Sequence, residues 1–283
     1  MLIAQSVAGM FAILLAGYLL SSDRSRINWR AVGGAFAVQL TLGALVLYFP
    51  LGKFALEAVA GVVISILGYA QAGMNFLFGD FASSNYGFVF ALQVLPIIVF
   101  FASLIAVLYH LGIMERVVSL IGGFIQLALR TSKAESMCAA TNIFIGQSES
   151  PIAVKPFLPH MTRSEIFAVM VGGMATVSGS VLGGYAAAGV EMRYLIAASF
   201  MAAPAALMMA KLIRPEVETE TSDTADVHDE IVQKRAVNVI DAAALGALQG
   251  MQLAFAIGAL LLAFTGLIAM MNGMISWFGG LVG

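Results

Sequence analysis

The residues best equipped for chemistry stand near the middle of the chain. There Ile145-Gly146-Gln147-Ser148-Glu149-Ser150-Pro151, IGQSESP, interrupts an apolar run about as long as a membrane crossing. Gln147, Ser148 and Glu149 set an amide, a hydroxyl and a carboxylate side by side, a combination suited to hydrogen-bonding a polar solute. A charge at the bilayer centre costs roughly 2.5 to 3.5 kcal/mol on insertion scales, so an idle Glu149 would be hard to retain. The competing reading is a packing lock, with Glu149 satisfied by neighbouring helices or protonated. A second polar set lies in VGGMATVSGSVLGGY, where Gly172, Gly173, Gly179, Gly183 and Gly184 surround Thr176, Ser178 and Ser180. Such a helix can pack very closely, as small residues allow in membranes, or unwind midway. An interrupted helix paired with a broken hairpin at membrane depth is the usual build of secondary transporters, its free carbonyls suited to an alkali cation.

Catalysis is the rival use of these residues. Gly146 and Ser148 can be compared with the glycine-flanked serine of an intramembrane protease, but that nucleophile needs a histidine base within reach. His110 ends an apolar span, His160 follows the polar island in a loop, and His228 lies in an acidic stretch. No His-Glu-x-x-His or paired-aspartate metal motif is present either. The chain is therefore not expected to be an enzyme. A passive channel also needs a polar lining and stays open as an alternative.

These residues require a membrane scaffold to hold them. The chain is 60% apolar and 11% charged, with a mean hydropathy of +0.94, too few charges to solvate a soluble domain of its length. Runs able to cross the bilayer occupy about Leu2 to Leu20, Ala31 to Phe49, Phe88 to Leu111, Ile166 to Ala188, Tyr194 to Ile213 and Met251 to Met271. Long continuous runs, with every backbone group needing a partner in lipid, imply an all-α polytopic membrane protein and not a barrel. The net charge of −2 argues against a nucleic-acid partner. The first run lacks a basic segment before it and is followed by Arg24, Arg26 and Arg30, so it reads as a retained helix with its N-terminus outside. Cys138 is the sole cysteine, which excludes an intrachain disulfide.

Two further apolar segments, Phe54 to Phe78 and Ala134 to Leu158, are ambiguous, and the basic residues decide between them. If neither crosses, Arg24, Arg26, Arg30, Arg116, Arg130, Lys133, Lys155, Arg163, Lys211, Arg214, Lys234 and Arg235 all face the cytoplasm. Only Lys53 and Arg193 are then outside, 12 against 2 of the 14. Letting Ala134 to Leu158 alone cross splits the charges evenly. The expectation is therefore six transmembrane helices, an interfacial helix at 54–78 on the outer side, and one re-entrant helical hairpin at 134–158 entered from the cytoplasm. Gly146 would end its first half, and Ser150 with Pro151 would cap and start its second. The stretch from Arg214 to Arg235 reads as a solvated cytoplasmic linker, and NVIDAAALGALQG as a short amphipathic helix leading into the last span.

With these elements in place, AATNIFIGQSESPIAVKPFL, SEIFAVMVGGMATVSGSVLGGYAAAGV, YLIAASFMAAP and NVIDAAALGALQGMQLAFAIGALLLAFTGLIAMMNG closely resemble the concentrative nucleoside transporter family, bacterial branch. The match runs in order over most of the chain, and the Gly-Gln-Ser/Thr-Glu tip is specific to the family. The resemblance implies a cation-coupled nucleoside symporter of the bacterial inner membrane, working by elevator-type alternating access as a homotrimer within the lipid bilayer. It implies that Gln147, Ser148 and Glu149 contact the nucleobase, directly or through water, and that Val181 packs against it. It further implies Na+, or H+ in its place, as coupling ion and no organic cofactor. The Na+ ligands would be Asn142, Ile145, Thr176 and Val177, mainly through backbone carbonyls. The implied division is a scaffold in 1–115, a transport-domain part in 116–213, a charged linker in 214–237, and scaffold again in 238–283, comprising the amphipathic helix and span 6. The family continues past the sixth span with a second hairpin and two further spans that supply the ribose-binding residues. This sequence stops at Gly283, so the expectation is an N-terminal portion carrying half a binding site. A truncated, transport-dead paralogue with a structural role is the alternative.

Overall fold

The computed structural model describes residues 2–82, 89–144, 154–177, 179–218 and 236–282. Every regular element among the described residues is helical. They are α1 (Leu2–Leu19), α2 (Trp29–Tyr48), α3 (Pro50–Phe78), α4 (Leu95–His110), α5 (Ile113–Leu129), α6 (Lys133–Phe144), α7 (Arg163–Ala175), α8 (Gly179–Ala187), α9 (Met192–Ile213) and α10 (Val239–Val282), with a single helical turn at Phe90–Gln93 before α4 and short 3-10 turns between some of the others.

Local chemistry sets the joints. The last carbonyls of α1 have no intrahelical donor, and Arg24 supplies one, its guanidinium donating to the Leu19 carbonyl at 2.8 Å. Asp23 caps the following turn, and the hydrogen bond from the Ser25 hydroxyl at 2.6 Å holds its carboxyl below the usual carboxylate range. Asn28 then caps α2, its Oδ1 accepting from the N–H groups of Arg30 and Ala31 at 3.1 and 3.2 Å. Asn28→Ala is expected to cost about 1 kcal/mol, read as a melting temperature lower by about 2–4 °C. The same turn reaches α9, because the Ser22 N–H donates to the Ile213 carbonyl at 2.8 Å. The C-terminal ends of α1 and α9 thus share one end of the bundle, as the charge count requires.

Only Phe49 separates α2 from α3, and Pro50 starts the new helix. A Cβ on Gly52 would collide with the Leu45 carbonyl, which explains a glycine in this elbow. The apolar segment expected from Phe54 therefore begins four residues earlier, because the proline nucleates it. From there α3 crosses its neighbours steeply. Ala60 packs on Met192 and Ile196 of α9, while Ala70 and Met74 pack on Ile97 and Phe101 of α4. Those contact points are about 20 Å apart along α3 but one turn long on each partner, and both lie at the N-terminal ends of α9 and α4. By length and composition α3 could span a membrane, yet it runs across one end of the bundle.

The last helix departs from expectation. In place of a short amphipathic helix followed by a separate span, Val239–Val282 is one helix of 44 residues. Nothing in NVIDAAALGALQG breaks a helix, since Gly246 and Gly250 are tolerated where they allow close packing. At 1.5 Å per residue it is about 66 Å long, roughly twice the hydrocarbon thickness. Gly246, Gly250 and Gly258 face α4: a Cβ at 246 would lie 2.5 Å from the Ala106 Cβ and one at 250 would lie 2.8 Å from the Val99 Cα. The Ser103 hydroxyl donates to the Ala243 carbonyl at 2.9 Å, tying the two antiparallel helices. Beyond this contact α10 is exposed, Leu262, Ile275 and Trp277 among its surface residues.

The main core lies elsewhere. Ile27, Val32 and Ala35 of the α2 region join Met114, Val118 and Ile125 of α5, Ala139 and Ile143 of α6, Ala168 of α7 and Ala203 and Leu207 of α9. Packing therefore groups α2 with the hairpin arm and α9, whereas α10 packs on α4.

Candidate cation and substrate site

The segment between residues 133 and 162 leaves and returns at the same end of α9. At its first foot Ser132 and Glu135 form a reciprocal cap of α6: the Glu135 N–H donates to the Ser132 hydroxyl at 3.3 Å and the Ser132 N–H to Glu135 Oε2 at 3.2 Å. At its second foot Thr162 and Glu165 cap α7 in the same way, with distances of 3.2 and 2.8 Å. Lys211, near the end of α9, holds both feet. Its Nζ is 2.6 Å from Glu135 Oε1 and 3.1 Å from the Ser164 hydroxyl, which in turn donates to the Arg214 carbonyl at 2.8 Å. The expected second half-helix of the hairpin, where described, is a 3-10 helix at Lys155–His160. Two prolines there, Pro156 and Pro159, leave too few N–H donors for α-helical bonding.

Two turns along α6 from Glu135 lies Asn142, fully buried. Its Nδ2 makes a long contact, 3.7 Å, with Cys138 Sγ, and its Oδ1 has no hydrogen-bond partner among the described residues. A buried polar atom left unpaired costs about 1–3 kcal/mol, so this oxygen calls for a ligand. The amide sits against α7 where Gly172 has no side chain; a Cβ there would stand 3.0 Å from Asn142 Nδ2. One turn later α7 ends. Thr176 is extended, φ −111° and ψ 154°, and helix resumes only at Gly179 as α8. The unwinding expected within VGGMATVSGSVLGGY is thus present.

At this break the Thr176 hydroxyl donates to the Gly172 carbonyl at 2.8 Å, which leaves its oxygen lone pairs free to accept. The Asn142 amide, through its Nδ2, and the Thr176 hydroxyl at the break therefore both lie against Gly172. Amide, hydroxyl and carbonyl oxygens without formal charge are hard donors of the kind alkali cations take. Among the described residues no group of three His, Cys, Asp or Glu side chains could hold a metal ion. Val181 lies one turn past the break in α8, half-buried. Ile145, Gln147, Ser148 and Glu149 lie outside the described residues.

Sequence reasoning expected Asn142 on the hairpin's first arm and Thr176 and Val177 at a break, and the structure has Asn142 on α6 and Thr176 and Val177 just after the end of α7. It missed Glu135, Glu165 and Lys211, taking Lys211 only as a cytoplasmic charge. The signal was present, since SKAE and TRSE at the two feet both have the Ser/Thr-x-x-Glu spacing of a capping box.

A polytopic all-helical chain with a span unwound at its middle, facing an unpaired buried amide, belongs to the broken-helix class of membrane proteins. Three family descriptions tile it: "Na+ dependent nucleoside transporter N-terminus" matches residues 8–81, "Nucleoside recognition" 91–192, and "Na+ dependent nucleoside transporter C-terminus" 194–283. An uncharacterized transporter of Haemophilus influenzae is 51% identical over 100% of this chain and 68% of its own length. The nucleoside permease NupC of Helicobacter pylori is 48% identical over 94% of this chain and 64% of its own. The solved structure of CNTnw in an inward-facing substrate-bound state superposes with a TM-score of 0.92 at 51% identity, covering 99% of this chain and 68% of that one. The chain belongs to the concentrative, Na+ dependent nucleoside transporter family. It spans about two thirds of the length of these relatives.

Proposed function

We propose that the protein is a cation-coupled nucleoside symporter whose coupling-ion site and nucleobase contacts lie in this chain. The observation that carries the reading is the buried Asn142 amide against Gly172, one turn before the end of α7, with its oxygen unpaired among the described residues. Asn142, Ile145, Thr176 and Val177 hold Na+, whose charge the neutral oxygens share without a buried carboxylate. Gln147, Ser148 and Glu149 hydrogen-bond the base, and Val181 packs on its face. Ion binding favours the geometry that accepts substrate, so nucleoside binds more tightly with the ion present, and by linkage the ion binds more tightly with nucleoside.

Transport follows as alternating access. Residues 1–115 and 238–283 stay fixed as the scaffold, while 116–213, with the re-entrant segment, move as the transport-domain part. The N-terminus is outside, the protein sits in the inner membrane, and three copies assemble around their scaffold helices.

Equilibrium binding of labelled uridine in sodium chloride against choline chloride tests this reading. Tight binding in sodium and weak binding in choline is the expected result; equal affinity in both would overturn it. Glu149→Gln removes a charge-assisted hydrogen bond worth about 1.5–3 kcal/mol, and should weaken uridine binding on the order of 10- to 100-fold. Unchanged affinity would remove Glu149 from the site.

A further inference from the structure

Lys211 takes no part in the ion or substrate contacts, yet it is among the most heavily buried charges described. Its side chain is 11% exposed and that of its partner Glu135 is 0% exposed. A buried ion pair is not a general stabilising device, since the desolvation of two charges offsets most of their attraction. Its retention is better explained by geometry, and the contacts show which.

Glu135 is bound through both carboxylate oxygens. Oε2 accepts the Ser132 N–H, fixing the first turn of α6, and Oε1 meets Lys211 Nζ at 2.6 Å, fixing that turn against α9. Lys211 Nζ also reaches the Ser164 hydroxyl at 3.1 Å on α7 and Glu216 Oε2 at 3.3 Å beyond α9, and the Thr162 hydroxyl donates to the same Glu216 oxygen at 2.9 Å. One ammonium thus ties the feet of α6 and α7 together. These are the two helices whose far portions carry Asn142 and Thr176. Glu135 and Asn142 are seven residues apart, about 20° short of two full helical turns, so they share a face of α6 at a spacing of about 10 Å. Rotation or sliding of α6 at its foot is carried directly to the Asn142 amide, because a helix of this length behaves as a rigid rod.

We propose that the Glu135–Lys211 ion pair is a positioning device for the coupling-ion site: it sets the rotation and height of α6 so that the Asn142 oxygen faces the break at Thr176. This inference rests on the reading of Asn142 as an ion ligand. Lys211 and Glu135 are positioning residues and touch neither ion nor nucleoside.

The test measures thermal stabilisation of the purified protein by sodium chloride, titrated against choline chloride at constant ionic strength. Lys211→Met alone leaves Glu135 buried and unpaired and is expected to melt well below the parent. The double variant Glu135→Gln with Lys211→Met removes both charges, and is expected to melt near the parent in choline. Its sodium half-saturation should nevertheless rise about tenfold. Asn28→Ala serves as the control, lowering the melting temperature without moving the sodium midpoint. A double variant with the parent's midpoint would overturn the proposal and leave the pair a purely structural contact. A parent protein that sodium fails to stabilise would overturn the ion-site reading itself, and the positioning role with it.

Discussion

Replacing Asn142 by alanine is expected to abolish the stabilisation by sodium over choline. In choline the variant should melt at or near the parent's temperature, because the change deletes a buried oxygen that has no partner among the described residues and whose burial unpaired costs about 1–3 kcal/mol. That gain offsets the small cavity left behind. In sodium the parent should gain stability and the variant should gain little, since the oxygen that would coordinate the ion is gone. An interaction of about 1.5–3 kcal/mol with a charged group corresponds to a rise in sodium half-saturation on the order of 10- to 100-fold. Asn142→Asp keeps an oxygen at the same place and should keep the sodium response. A melting temperature that falls equally in both salts would make Asn142 an ordinary core residue.

The second large effect concerns the pairing of α4 with α10. Gly246→Val would drive a Cβ to 2.5 Å from the Ala106 Cβ, 2.7 Å from the Ala102 carbonyl oxygen and 2.9 Å from the Ser103 Cα. Two of these three atoms are backbone, so no side chain can swing aside and the helices must part. Separation also stretches the hydrogen bond from the Ser103 hydroxyl to the Ala243 carbonyl, 2.9 Å long in the structure. Overpacking of this kind costs about 1–3 kcal/mol or more, which for a chain of this size lowers the melting temperature by several degrees, to about 10 °C. Gly258→Ala is the matched control, because its nearest neighbour is the mobile Leu95 Cδ1 at 3.2 Å. The sodium midpoint should stay unchanged in Gly246→Val, since α10 contributes no described residue to the core that packs α6 and α7. A shifted midpoint would mean that the two bodies are not separable.

Much of this organisation could be read from residue types alone, and the reasons for success and failure differ by element. The broken span was legible because VGGMATVSGSVLGGY combines glycines with hydroxyls that can take over backbone hydrogen bonds, and the break falls at Thr176. Asn142 was reachable only through resemblance. An asparagine in an apolar run is equally consistent with a satisfied core amide, and only the structure shows its oxygen unpaired among the described residues. The clasp at Lys211 was hidden for a different reason. Counting a basic residue toward one side of the membrane says nothing about its partner, and Glu135 is 76 positions away in sequence. The continuity of α10 was missed because a change in hydropathy at Met251 was taken as a helix boundary, whereas helix continuity depends on backbone propensity and on the absence of proline. Charge balance alone laid α3 at the outer interface; in the structure it packs on α9 and α4 at their N-terminal ends.

The central claim is that sodium binding at the break drives nucleoside movement through this protein. It is tested most directly by the uptake of labelled uridine into proteoliposomes under an inward sodium gradient, compared with equal sodium on both sides and with choline. Accumulation above the outside concentration under the gradient, falling to simple equilibration when sodium is equal on both sides and to background in choline, is the predicted result. Equilibration at the same rate in all three conditions would make the protein a channel, and background uptake in all three would make it a structural, transport-inactive relative.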